Sequence, residues 1–409
     1  MMKVLYYIFI QLFRVLSYLV SFFHQKAHLF VAGREKVFSR LERLDKSKKL
    51  VWFHCSSLGE FEQGRPLMEQ IRKDNPSWQI LLTFFSPSGY EIRKDYEGAD
   101  LVSYLPVDTP VNARKFLDRV QPDLVYFIKY EYWYFILKEM HRRKIPAYLV
   151  SAIFRKDQIF FRWYGGFFRK ILHFFRLIFV QNEESEQRLK EIGVDHVIYA
   201  GDTRFDRVTK IVENAEEMPL VEAFKGEELT LVAGSTWPKD EELLLSYYLQ
   251  HNQCKMIIAP HEVHESHISQ IERLAGDKKC LRYSATDEFN VKQADLLIVD
   301  SIGLLSSLYK YGDLAYVGGG FGKGIHNILE AATYGVPVVF GPNHQKFSEA
   351  IQLLKEGGAY AISDQQNLNQ VFHNLLHHNE NRKNAGKKAQ QFVEKNTGAT
   401  HKVLNNTVL

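Results

Sequence analysis

Cysteine is scarce in this chain. Cys55, Cys254 and Cys280 are far apart and odd in number. That excludes a disulfide framework and any zinc-ligand spacing, and fits a reducing compartment. Net charge is also small, +4 from 52 Lys and Arg against 48 Asp and Glu, too little to argue for nucleic acid. The glycine-rich stretch near residue 320 lacks the standard phosphate loops. G-x-x-x-x-G-K-[ST] fails there because Gly324 follows Lys323, and G-x-G-x-x-G fails in every register. His261, His264 and His267 run as H-E-x-H rather than H-E-x-x-H, so the zincin spacing is missing and no metal is expected.

What is present is a folded chain of 409 residues, 45% hydrophobic and 24% charged, long enough for two domains. Val4 to Phe23 is aromatic and apolar, broken by Gln11 and Arg14. It has the length of a membrane span, while Arg14 leaves a shallow interfacial helix open. Lys26, Arg34, Lys36, Arg40, Arg43, Lys46, Lys48 and Lys49 follow, which by the positive-inside rule keeps the rest of the chain cytoplasmic. We therefore expect residues 1–24 to anchor the protein at the cytoplasmic face of a membrane.

From Leu50, apolar runs alternate with helical patterns. The strand-like runs are Leu50–Phe53, Gln79–Phe84, Leu124–Ile128, Ala147–Val150 and Leu177–Val180, with helices such as Val111–Val120 and Trp133–Arg142 among them. An acidic, poorly periodic stretch at 207–228 reads as a linker. The alternation restarts with Leu229–Ala233, Met256–Ala259, Leu296–Val299, Leu314–Val317 and Val336–Phe340. Such runs predict parallel sheets covered on both faces, hence an α/β fold of two doubly wound Rossmann-like domains facing a cleft, 25–206 and 229–409.

Two stretches carry more than fold. Asp313 to Phe347 reads as strand, glycine loop, helix from about His326–Asn327, and strand, so that helix N–H groups and glycine backbone would cradle a phosphate. Glycines that serve only a tight turn are the competing reading. Asn327 and Glu330 share one helical face, and Glu330 could accept two ribose hydroxyls. Phe154 to Phe179 holds eight phenylalanines, six Lys or Arg and one acid, Asp157. Its Phe-Phe-Arg units recur every seven residues, as on a helical stripe suited to anionic lipid headgroups or a lipid substrate. The alternative places these phenylalanines in the core.

Candidate chemistry clusters after strands. Glu60, in HCSSLGEFEQGRP, is either a base for an acceptor hydroxyl or an acid stabilising a helix N-terminus. Glu131, in KYEYWY, also follows a strand. Ser235 and Thr236, in AGSTWP, offer hydroxyls and helix caps, and His261 lies nearest its strand end.

Together SSLGE, YLPVDTP, YEYW, QNEESEQRLKEIG, GDTRFD, AGSTWP and VGGGF-x4-HNILEAA-x2-G-x-PVVFGP resemble the 3-deoxy-D-manno-octulosonic acid (Kdo) transferases, over about 51–360. The resemblance implies a GT-B fold and transfer of Kdo from CMP-Kdo to a lipid A precursor in lipopolysaccharide assembly, with inversion and no cofactor. It implies Glu60 as base, with Glu131 and Arg204 stabilising the charged transition state. Ser235, Thr236, Pro260, His261, Ile302, Gly303, Leu304, Gly319, Gly320, Asn327, Ile328, Leu329 and Glu330 would hold the donor. His261 stands where that family usually has arginine. Another GT-B enzyme, such as a nucleotide-sugar epimerase, or an inactive nucleotide-sugar binding protein, are the rival readings.

Overall fold

Apolar strands with both faces buried need helices on each side of a parallel sheet, and the chain builds two such sheets. The computed structural model describes residues 1–213, 215–251 and 253–408. One unit comprises Met1–Arg207 with Thr397–Leu409, and the other Val208–Asn396.

The first unit holds β1 (Leu50–Cys55), β2 (Gln79–Phe84), β3 (Leu101–Tyr104), β4 (Leu124–Ile128), β5 (Ala147–Ala152), β6 (Leu177–Val180) and β7 (Val197–Tyr199). They lie in the order β3-β2-β1-β4-β5-β6-β7, every described pairing parallel. The second unit holds β8 (Thr230–Thr236), β9 (Lys255–Pro260), β10 (Cys280–Arg282), β11 (Leu296–Ile298), β12 (Leu314–Val317), β13 (Val338–Phe340) and β14 (Ala359–Ala361). Their order is β10-β11-β9-β8-β12-β13-β14, again parallel. Strand order reverses between β1 and β4 in one sheet and between β8 and β12 in the other. Those reversals are where an open α/β sheet leaves a crevice at its carboxyl edge.

Several expectations change. Residues 207–228 are not a bare linker. Helix Pro219–Lys225 buries Val221 and Phe224, and Lys225 Nζ reaches Asp313 Oδ2 at 3.0 Å, all within the second unit. The last helix, Ala399–Asn405, which the sequence placed in the second domain, packs in the first unit on helix Leu58–Asp74. The Phe-Phe-Arg period is not one helix. It is split among a 3-10 turn (Ile159–Phe161), a short helix (Gly166–Leu172) and the turn at 173–176 that leads into β6. All eight phenylalanines belong to the first core or pack against it, while Trp163 is 91% exposed and Tyr164 54%. A period of seven was core spacing here, as the blander reading had it.

The helix expected to begin at His326–Asn327 is a single turn, Leu329–Ala332. Four residues cannot build a useful dipole at the loop. The loop glycines have a packing reason instead. A Cβ on Gly318 would meet Ser235 O at 2.3 Å, and one on Gly320 would meet Gly341 Cα at 2.6 Å. Gly319 has φ +89°. Neighbouring strand ends press directly on this backbone.

Two stability measurements follow. Gly318→Ala and Gly320→Ala each lower the unfolding free energy by about 1–3 kcal/mol without any ligand, read by denaturant unfolding. Phe175→Ala costs about 3–5 kcal/mol, whereas Trp163→Ser stays within about 0.5 kcal/mol of wild type.

Candidate active site

Glu60 and Glu131 flank the reversal of the first sheet: one follows β1, the other β4. The S-x-x-E spacing of Ser57 and Glu60 is that of a capping box opening helix Leu58–Asp74. The Ser57 hydroxyl nevertheless donates to Glu60 Oε2 and makes no bond to the helix backbone. Glu60 is half-buried. Cys55, fully buried at the end of β1, has its thiol pushed up by burial and then by the charges of Glu60 and Glu131.

Glu131 is held from beneath. His54, fully buried on β1, places Nε2 2.9 Å from Glu131 Oε2. Its Nδ1 lies 2.9 Å from Thr83 Oγ1, which accepts the Trp52 indole N–H at 2.7 Å. His54 Nδ1 also lies 3.2 Å from Thr83 O, and the Thr83 hydroxyl donates to Phe53 O at 3.3 Å, so the imidazole is held by β2 on one side and by the carboxylate on the other. Trp133 Nε1–H also donates to Glu131 Oε2, at 2.5 Å. His54, Thr83 and Trp133 were not assigned roles from sequence. The only signal was that His54 and Trp133 sit inside the quoted motifs.

Arg204 opens helix Thr203–Glu213 and turns back on its own loop. Its Nε and one terminal nitrogen donate to Asp202 Oδ2 at 2.9 and 2.7 Å, and its backbone N–H donates to Oδ1 at 3.0 Å. Burial alone would raise the Asp202 carboxyl, but Arg204, with help from Lys129, holds it below the usual range. Arg204 is therefore a paired cation. Tyr130 is raised by burial while Arg155, Glu60 and Arg204 act on it, which puts all three charges around one loop. Lys129, just past β4, has φ +71°, a left-handed conformation rare outside glycine.

In the second unit the expected donor residues also sit at the carboxyl edge. Ser235 has φ +52° where β8 shifts register against β9. Thr236 is buried and its hydroxyl donates to Glu241 Oε1 at 2.8 Å, so it supports the strand end rather than facing a ligand. His267 is bound to the other oxygen of Glu241 at 2.8 Å. No cluster of three His, Cys, Asp or Glu able to hold a metal occurs among the described residues. Pro260 ends β9, and His261 N–H donates to Thr236 O at 2.9 Å. The His261 ring stacks between Trp237, 4.8 Å away, and His326, 4.4 Å away. His326 is pushed down to about 4, by burial first and then by His261.

The glycine loop is less of an anion cradle than its composition implied. Gly318 N–H bonds Gly234 O, those of Gly322 and Gly324 bond Gly319 O, and that of His326 bonds Gly318 O. Gly319 N–H donates at 3.0 Å to Asp240, a buried carboxylate that also accepts the Tyr316 hydroxyl at 2.7 Å. Asn327 Nδ2 donates to Glu330 Oε1 at 2.9 Å, and Asn327 Oδ1 accepts Leu329 N–H at 3.2 Å. Ile328 and Leu329 are buried beneath them. Ile302 is 87% exposed, and Gly303 and Leu304 complete the loop between β11 and the turn Leu305–Leu308.

Comparison with known proteins fits this arrangement. The family model of the 3-deoxy-D-manno-octulosonic-acid transferases matches residues 34–207. The 3-deoxy-D-manno-octulosonic acid transferase of Rickettsia bellii is 30% identical over 359 residues, 85% of this chain and 84% of that protein. That of Aquifex aeolicus is 28% identical over 342 residues, 81% of this chain and 88% of its own. Among solved structures, UDP-GlcNAc 2-epimerase from Neisseria meningitidis has a TM-score of 0.61 at 16% identity, covering 88% of this chain and 98% of that one. MurG of Acinetobacter baumannii has a TM-score of 0.55 at 14% identity, with the same coverage. Those two share the GT-B fold alone, whereas the sequence relatives carry a function. The chain belongs to the Kdo transferase family, the glycosyltransferases of lipopolysaccharide synthesis.

Proposed function

We propose that this glycosyltransferase moves Kdo from CMP-Kdo to a lipid A precursor with inversion, Glu60 acting as general base. The observation that carries the reading is the pair of carboxylates on either side of the β1/β4 reversal, one half-buried and accepting the Ser57 hydroxyl, the other locked by His54 and Trp133. Glu60 takes the proton of the acceptor sugar hydroxyl, and the freed oxygen attacks the anomeric carbon of Kdo. The bond from that carbon to the phosphate oxygen breaks, and its electron pair leaves with CMP. Positive charge that develops on the sugar is offset by Glu131. Arg204 supplies a planar, fixed cation for the carboxylate of Kdo or the departing phosphate.

The second unit supplies the donor site. Glu330 and Asn327 accept the ribose hydroxyls, Ser235 and His261 meet the phosphate, and the exposed 302–304 loop with Pro260 bounds the base. Gly319 and Gly320 shape this surface by letting strand ends approach. The epimerase reading is weaker, because the sequence relatives with high coverage are transferases and the N-terminal helix calls for a lipid acceptor. That helix, Met2–Val20, is the one helix among the described residues long and apolar enough to cross a membrane. In this reading it holds the enzyme at the cytoplasmic face of the inner membrane, with basic residues near anionic lipid. Arg34 is excluded from that role: its guanidinium is buried over Phe30 and donates to three backbone carbonyls.

Glu60→Gln is expected to slow CMP release, with lipid acceptor present, about 10²- to 10⁴-fold while the thermal midpoint holds. Release at the wild-type rate removes Glu60 as base. A second outcome concerns His326. Burial pushes it down to about 4, below the ordinary imidazole value of about 6.5, so between these the unfolded chain binds the proton and the native chain does not. Stability is whole above about 6.5 and is lost as pH falls toward 4. His326→Gln should flatten that part of the acid slope, seen as a smaller drop in thermal midpoint from pH 7 to pH 4.

A further inference from the structure

The N-terminal helix is fastened to the first unit along one stripe, Tyr6, Ile10 and Phe13, spaced i, i+4, i+7. Ile10 is 2% exposed, while Leu12 and Leu16 on other faces are 63% and 60% exposed. The stripe makes two chains of contact. In the first, the Tyr6 hydroxyl donates to Asp108 Oδ2 at 2.7 Å and accepts Tyr134 N–H at 3.4 Å. Asp108 is buried and also accepts the N–H groups of Phe135 and Ile136, both at 2.9 Å, so it caps helix Tyr134–Arg142. In the second, the Phe13 ring stacks on Phe85 at 6.2 Å, and Phe85 packs on Trp133 at 4.6 Å. Trp133 donates to Glu131. One chain fixes the residue after Trp133 and the other fixes Trp133 itself. Both close on the segment that carries Glu131.

We propose that Tyr6 and Phe13 are positioning residues for Glu131, so that the membrane-binding helix belongs to the catalytic unit and is not a detachable anchor. This rests on the reading of Glu131 as a group acting on the transferring sugar. The helix stays seated along the protein by its Tyr6–Phe13 stripe, and its outer face, Leu12 and Leu16 included, enters one leaflet of the membrane. Unseating it releases the Asp108 cap and the Phe85–Trp133 stack together.

The test uses the full chain with CMP-Kdo and detergent-dispersed lipid acceptor. Tyr6→Phe keeps the ring and loses only the hydroxyl. Tyr6→Phe and Phe13→Ala should each lower kcat about tenfold with the donor KM unchanged, measured at a temperature where circular dichroism shows each variant folded. Tyr6→Phe combined with Glu131→Gln should be no slower than Glu131→Gln alone, because the hydroxyl acts through that carboxylate. Leu12→Ser with Leu16→Ser should lose vesicle binding and keep kcat in detergent. Wild-type kcat for Tyr6→Phe and Phe13→Ala beside an impaired Glu131→Gln overturns the proposal, as do additive losses in the double variant. A fully active Glu131→Gln overturns the Glu131 reading itself, and the proposal with it.

Discussion

The reversal of strand order in each sheet is the constraint from which the candidate site follows. In a parallel sheet every chain connection must cross from one strand's carboxyl end to the next strand's amino end, right-handed, over one face. Where the order turns, between β1 and β4 and again between β8 and β12, successive helices leave on opposite faces and the strand ends between them stay uncovered. Glu60 and Glu131 border the first gap, and Ser235 and the 318–320 glycines border the second. No other position in a doubly wound sheet brings distant segments together with so little backbone in the way.

Within the first gap the carboxylates are distinguished by their surroundings. Glu131 is almost wholly buried and receives two N–H donors on one oxygen, from His54 and Trp133. A buried carboxylate without such donors would cost several kcal/mol, so the donors are a requirement of its placement. His54 in turn needs Thr83, and Thr83 is pinned by Trp52 from the neighbouring position on β1. Four side chains from β1, β2 and the segment after β4 thus fix the direction of one acid. Glu60, half-buried at a helix start, accepts the Ser57 hydroxyl. In the proposed reaction the less buried acid would be the one that accepts a proton, and the fixed one the group that offsets charge.

The central strands were legible because both their faces are buried, which leaves continuous apolar runs such as Leu50–Phe53 and Leu314–Val317. The four strands that those runs did not mark, β3, β7, β10 and β14, are the four sheet edges. They have three or four residues each, and three of them are half-exposed, so no long apolar run announces them. The glycine stretch was placed between its two strands, with its physics left open between a ligand cradle and a tight turn. Composition cannot tell a backbone pressed by its neighbours from one awaiting a ligand, and Gly318 and Gly320 are of the first kind. His54, Thr83 and Asp240 were illegible for a different reason. Each takes its meaning from a partner 29 to 79 positions away, which only the folded sheet supplies.

In the role proposed for Arg204, pairing would serve the site rather than disable it. Its contact with Asp202 lowers the net charge it can offer, and by Coulomb's law alone a free lysine would attract an anion more strongly. But a lysine ammonium is a mobile point charge that must be ordered as the ligand binds, at up to about 2 kcal/mol of side-chain entropy. The guanidinium is already ordered, with two N–H groups on Asp202 fixing its plane. Asp202 is buried and anchored within the loop that precedes the helix, so that plane is referred to the sheet and not to a flexible stem. The exchange gives up attraction at a distance and gains direction at contact, which is the property that discriminates a transition state from a bound substrate.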